Sequence, residues 1–91
     1  MSVIRREYRF KGRVQGVGFR YRCMTIAGRL HLTGFVKNEY DYSVTAQIQG
    51  EQNVIEQMID QLFKEPFIQI DNITCHELPV IKNESSFEVK Y

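Results

Sequence analysis

Residues Gly12 to Arg20 read GRVQGVGFR, three glycines in seven residues followed at once by Phe19 and Arg20. The hydrophobic period changes across this stretch. Before it, Ile4, Tyr8 and Phe10 alternate with Arg5, Glu7, Arg9, Lys11 and Arg13, the period of a half-buried strand, with Arg6 a misfit on the apolar side. After it, Phe19, Cys23, Ile26, Ala27 and Leu30 recur on one stripe, the period of a helix over 19–31. The stretch is therefore a strand-to-helix junction. Peptide N–H groups that turn inward in such a loop need positive φ, which glycine adopts without steric cost. At a helix start they form an anion cradle, reinforced by the positive end of the helix dipole. Arg20 adds a planar fork of charged donors that suits phosphate. The spacing Gly12, Gly16, Gly18 is not G-x-G-x-x-G, and no Gly-Lys-Ser/Thr follows, so neither the dinucleotide fingerprint nor the P-loop is present.

Reading outward, Thr33 to Asn38 (TGFVKN) is a short strand and Glu39 to Tyr42 a turn. Ser43 to Gln49 alternates, with Val44, Ala46 and Ile48 on one face, and Gly50 closes a β-hairpin. Glu51 to Lys64 is the clearest helix. Its buried stripe is Ile55, Met58, Ile59, Leu62 and Phe63, its early acids suit the dipole, and Glu65-Pro66 ends it. Asn72 to Leu78 reads as a strand, Lys82 to Ser86 as a polar loop, and Phe87 to Tyr91 as a short closing strand. The order β-α-β-β-α-β predicts an α+β, ferredoxin-like domain over residues 1–91, an antiparallel sheet with two helices on one face. Strand two is expected near strand one at the sheet centre, which would bring Asn38 to the mouth of the glycine loop.

Composition is that of an ordinary globular chain of 91 residues, 43% apolar and 25% charged. No stretch approaches the ~20 apolar residues that span a bilayer, and charges interrupt the N-terminal MSVIRREYRF where a signal core would lie. A cytoplasmic protein with no membrane partner is expected. Net charge is only +1, yet nine of twelve Lys/Arg fall in the first 37 residues against one acid, Glu7. This favours an anionic ligand near the N-terminal half without the overall basic excess of a nucleic-acid binder. Cys23 and Cys75 fit neither a disulfide framework nor zinc and are expected to be small buried hydrophobes. Gly28, inside the first helix, reads as a close-packing site and His31 as a helix cap or surface residue.

Glycines alone do not separate an anion cradle from a plain turn. The second motif does. Gly34 to Asn38, GFVKN, ends strand two in an asparagine, whose amide donates and accepts at once and so can orient a water beside a bound phosphate. With GRVQGVGFRY, TGFVKN, the AQIQG of Ala46 to Gly50 and the closing FEVKY, the chain resembles the acylphosphatases over its whole length. The resemblance implies hydrolysis of a carboxyl-phosphate anhydride to a carboxylate and inorganic phosphate. It implies that Arg20 binds the phosphate and Asn38 positions the water. It also implies that the N–H groups of Gln15, Gly16, Val17, Gly18 and Phe19 cradle the phosphate oxygens, with no cofactor, no metal and no covalent phosphoenzyme. A monomer acting on a small acyl phosphate is expected.

Two departures stand out. The family's usual Asp-Gly turn is here Glu39-Tyr40-Asp41-Tyr42, and tyrosine at positive φ is costly, so a differently shaped turn is expected. Phe35 stands where the family usually has tryptophan. The same element order also occurs in single-strand RNA binders. Their aromatic and basic signature belongs on strand three, and Ser43 to Gln49 has neither residue type. No nucleic-acid partner is expected. A channelling module like that fused to hydrogenase-maturation carbamoyltransferases would bring further domains or cysteine motifs, and none is seen in this chain.

Overall fold

The computed structural model describes residues 2–91. The elements are β1 (Val3–Arg13), α1 (Phe19–Leu30), β2 (Thr33–Asn38), β3 (Val44–Glu51), α2 (Gln52–Phe63), β4 (Gln69–Leu78) and β5 (Phe87–Lys90). The five strands form one sheet in the order β4-β1-β3-β2-β5. The ferredoxin-like α+β expectation holds, with one correction to the sheet. It is mixed, because β5 pairs parallel to β2 (Gly34 opposite Phe87, Val36 opposite Val89).

The nearness of strands one and two comes through a third strand. β3 lies between β1 and β2, so strand two is not beside strand one. Both are antiparallel to β3 and therefore parallel to each other. Phe10 and Asn38 both pair with Val44, in one row across the sheet. The C-terminal ends of β1 and β2 thus lie at the same end of the sheet. This shared direction, rather than direct pairing, carries Asn38 to the end where the 14–18 loop leaves β1.

The core lies between the sheet and the two helices. Phe19, Cys23, Ile26 and Ala27 of α1 and Ile55, Met58 and Leu62 of α2 are buried against Phe10, Val36, Val44, Ala46 and Ile48. Phe10 stacks on Tyr8 and meets Phe19 with ring centroids 5.0 Å apart, tying β1 to the first turn of α1. Burial of such side chains contributes about 1.5–3 kcal/mol each. Cys23 is one of them, and its burial pushes the thiol well above its ordinary pKa.

Several finer expectations give way. Phe63 is exposed, because α2 ends at that residue. The first turn of α2 carries no acid, since Glu51 is the N-cap residue and makes no side-chain cap. Gly28 faces open space and packs against nothing, and Cys75 is exposed. Strand β4 begins at Gln69 rather than Asn72. His31 is the exposed left-handed C-cap of α1. Arg5, placed by alternation on a solvated face, is 1% exposed, because the loop after β4 folds over it and supplies Glu84 at 2.7 Å.

Candidate active site

The loop after β1 turns on two left-handed glycines, Gly16 (φ 73°) and Gly18 (φ 79°). Gly18 is the N-cap of α1, and no side chain caps it. The first helical bond runs from the Arg22 N–H to the Gly18 carbonyl at 3.0 Å, so the N–H groups of Phe19, Arg20 and Tyr21 have no intrahelical acceptor. Among the described residues, the peptide N–H groups of Gln15 to Gly18 also find no backbone acceptor. Gly12 serves elsewhere. It sits at a bulge in the β1–β4 ladder, where a side chain would collide with the Gln69 carbonyl.

A cavity of about 110 Å³ opens at this loop, lined by Val14, Gly16, Gly18, Phe19, Arg20, Tyr21 and Asn38. Of the residues singled out in the sequence, Gly16, Gly18, Phe19, Arg20 and Asn38 therefore share one wall. Val17 instead faces an adjoining groove. Gln15 sends its side chain away, its amide donating to the carbonyls of Glu39 and Ser43, each at 2.9 Å. That side chain ties the loop to the turn that follows Asn38.

Asn38 is half-buried at the end of β2, and its Oδ1 is fully buried with no partner among the described residues. Leaving a buried acceptor unpaired costs about 1–3 kcal/mol. The turn behind it is firm. The Glu39 N–H donates to Ser43 O at 2.8 Å, and Asp41 Oδ1 accepts from the Ser43 N–H and hydroxyl. Those bonds, the hydroxyl first, hold the Asp41 carboxyl below its ordinary pKa. Tyr42 takes φ 70°, contrary to the expectation of a turn that avoids positive φ at this position. Its side chain is exposed and free of packing, and the bonds around Ser43 hold the strained residue in place.

Arg20 is half-buried. Its Nη1 donates to the Lys90 carbonyl at 3.3 Å, and its guanidinium lies 4.9 Å from the centroid of the Tyr91 ring. The Tyr91 hydroxyl meets that of Tyr21 at 2.7 Å, a bond that raises the Tyr91 pKa above its ordinary value. The parallel β2–β5 pairing delivers Lys90 and Tyr91 to this end. Sequence reading missed both residues as supports for Arg20, along with Val14 and Tyr21 as lining. FEVKY was visible as a pattern, but no local signal says which residue it reaches. Phe35 receives the Lys90 ammonium 4.1 Å from its ring centroid, a cation–π contact.

Among the described residues, no group of three or more His, Cys, Asp or Glu side chains could share a metal ion, and no helix is long and apolar enough to cross a membrane. The arrangement is a small pocket at a loop with unbonded N–H groups, lined by one cation and by the residue whose amide oxygen is unpaired. Groups of these kinds suit an anion.

Comparison with known proteins points the same way. The family model described as Acylphosphatase matches residues 6–89. The acylphosphatase of Clostridium acetobutylicum is 38% identical over 81 residues, covering 88% of this chain and 89% of that protein. The crystal structure of acylphosphatase from Bacillus subtilis superposes with a TM-score of 0.88 at 29% identity, covering 97% of this chain and 99% of that one. HypF of T. kodakarensis contains the same fold as 12% of its length, at 32% identity and a TM-score of 0.84 over 97% of this chain. Motifs, fold and relatives agree, and the chain belongs to the acylphosphatase family, hydrolases of acid anhydrides that act on acyl phosphates.

Proposed function

We propose that this protein hydrolyses acyl phosphates at the cavity between the 15–19 loop and Asn38, without a metal ion. The phosphoryl oxygens lie on the N–H groups of Gln15 to Phe19, with the Arg20 guanidinium against them. Asn38 Oδ1 accepts a hydrogen bond from the attacking water and aims its oxygen at phosphorus. As that oxygen bonds to phosphorus, the phosphorus–oxygen bond to the acyl group breaks. The carboxylate leaves with the electron pair, and the two protons of the water stay on the inorganic phosphate.

The observation that carries this reading is that Asn38, whose Oδ1 has no partner among the described residues, lines the same cavity as the glycine loop and Arg20. The chemistry asks for little more. A carboxylate is a weakly basic leaving group, so positioning and charge stabilisation suffice, as in phosphoryl transfer generally. The test is hydrolysis of benzoyl phosphate by the purified protein in EDTA, beside an Arg20→Ala control. Turnover that survives EDTA and is lost in the control is the expected result. Turnover that needs added metal, or persists in Arg20→Ala, overturns the assignment.

A further inference from the structure

The glycine loop and Asn38 can act together only if one is held at a fixed place relative to the other, and the sheet ladder stops short of the point where they meet. The pairing of β1 with β3 ends at Phe10 opposite Val44. Beyond that row, Lys11 to Arg13 pair with β4 alone, on the side of β1 away from β3. The 14–18 loop therefore leaves a strand end that is bonded neither to β2, which carries Asn38, nor to β3 between them. Among the described residues, the hydrogen bonds that join this loop to the 39–43 turn are the two from Gln15 Nε2, to the carbonyls of Glu39 and Ser43, each at 2.9 Å.

We propose that the Gln15 side chain is a positioning residue, whose amide holds the phosphate loop in place against the Asn38 turn so that the water meets phosphorus in line. This rests on the functional reading above. Both carbonyls already have a partner in their own turn: Glu39 O accepts from the Tyr42 N–H at 3.3 Å, and Ser43 O from the Glu39 N–H at 2.8 Å. Gln15 therefore satisfies no orphan acceptor. It uses the second lone pair of each carbonyl, and what its two bonds add is the tie itself. Glu39 and Ser43 are the pair next beyond the Asn38–Val44 row, so the fork grips backbone one residue from Asn38. Each half also has its own support. The loop turns on Gly16 and Gly18, and the turn is held by the bonds of Asp41 and Ser43. Losing the fork leaves both halves shaped and loosens one against the other. Phosphate alone needs only the loop and Arg20, whereas attack in line needs the water and phosphorus placed together.

The test is a double-mutant cycle with benzoyl phosphate as substrate and inorganic phosphate as inhibitor. Gln15→Met keeps the length of the side chain, removes both donors and leaves the backbone N–H of residue 15 in place. It is expected to lower kcat about ten-fold, with inhibition by phosphate unchanged. Gln15→Ala, which puts no apolar bulk at this half-buried position, is expected to behave alike. In an Asn38→Ala background the same substitutions change kcat by less than about two-fold, because the residue through which Gln15 acts is gone. An unchanged kcat in both single variants, phosphate inhibition weakened in step with kcat, or losses that multiply in the double variants overturn the tie and leave the functional reading standing. No hydrolysis by the wild type, or Asn38→Ala alone weakening phosphate inhibition in step with turnover, overturns the functional reading and the tie with it.

Discussion

Two arginines are treated in opposite ways by the same fold. Arg5 lies beneath the loop after β4, with Nε donating to Gln47 at 2.9 Å and Nη1 to Gln49 at 3.1 Å and Glu84 at 2.7 Å, while Nη2 is buried without a partner among the described residues. Glu84 in turn accepts from the Thr33 hydroxyl at 2.7 Å, so β3 and the loop after β4 bond the guanidinium directly and β2 joins them through Glu84. Arg20, at the loop end of the sheet, has a single bond at 3.3 Å and a tyrosine ring beneath it. The first cation closes the structure over itself. The second has most of its fork unused among the described residues. A guanidinium's role thus follows from how many of its donors the protein has already used.

The comparison breaks or holds on paired measurements. Arg20→Ala is expected to lower kcat/KM by a factor corresponding to about 3–4 kcal/mol, while its urea midpoint stays within about 0.5 kcal/mol of wild type. Arg5→Ala reverses the pattern. Removing one partner of a buried pair destabilises by about 3 kcal/mol, the lower end of the range because Glu84 keeps some exposure. Its activity per folded molecule stays near that of the wild type. Equal stability losses in the two variants would erase the distinction.

A smaller effect sharpens the site end. Asn38→Ala is expected to reduce kcat by about 2–3 kcal/mol of barrier, with inhibition by inorganic phosphate unchanged. Parallel weakening of phosphate would mean that Asn38 binds the anion rather than the water. Smaller again is Tyr42→Gly. A left-handed non-glycine residue costs roughly 1–2 kcal/mol, and glycine gives part of that back as unfolded-state entropy. The variant should be about 0.5–1 kcal/mol more stable by urea unfolding, and a loss would mean that the ring does work at this turn.

The least effect concerns acid. The Asp41 pKa is depressed in the folded state, so its contribution is present above the unfolded value near 4 and is lost as pH falls through the lower folded value. Asp41→Ala should therefore flatten the acid side of the stability profile below about pH 4 and leave its slope above pH 5 unchanged. A changed slope near neutrality would point to another group.

Much of the site was legible because its chemistry is local. Gly16, Gly18 and Arg20 lie within five residues, and a change of period marks the junction they form. Asn38 was reached through a motif and through the expected nearness of strands one and two. β3 intervenes, and parallel direction does the work. What stayed hidden depends on distant partners. Alternation gives the face on which Arg5 points but not that residue 84 will cover it. Tyr91 lies 70 residues from Tyr21, and nothing near either announces the pairing. Tyr42 was misjudged for another reason. Its strain is real, yet the hydrogen bonds of Ser43 and Asp41 outweigh it, and a propensity argument does not contain them.

The insertion of β3 between β1 and β2 has a consequence for refolding. The loop and Asn38 belong to strands that never touch, and Arg20 leans on a strand some 70 residues later. Such distant closures are slow, because chain entropy is lost before the contacts are gained. After dilution from denaturant, helical signal can return early, while hydrolytic competence waits for the whole strand order to lock. Regain of activity is thus a clock for the final step of assembly.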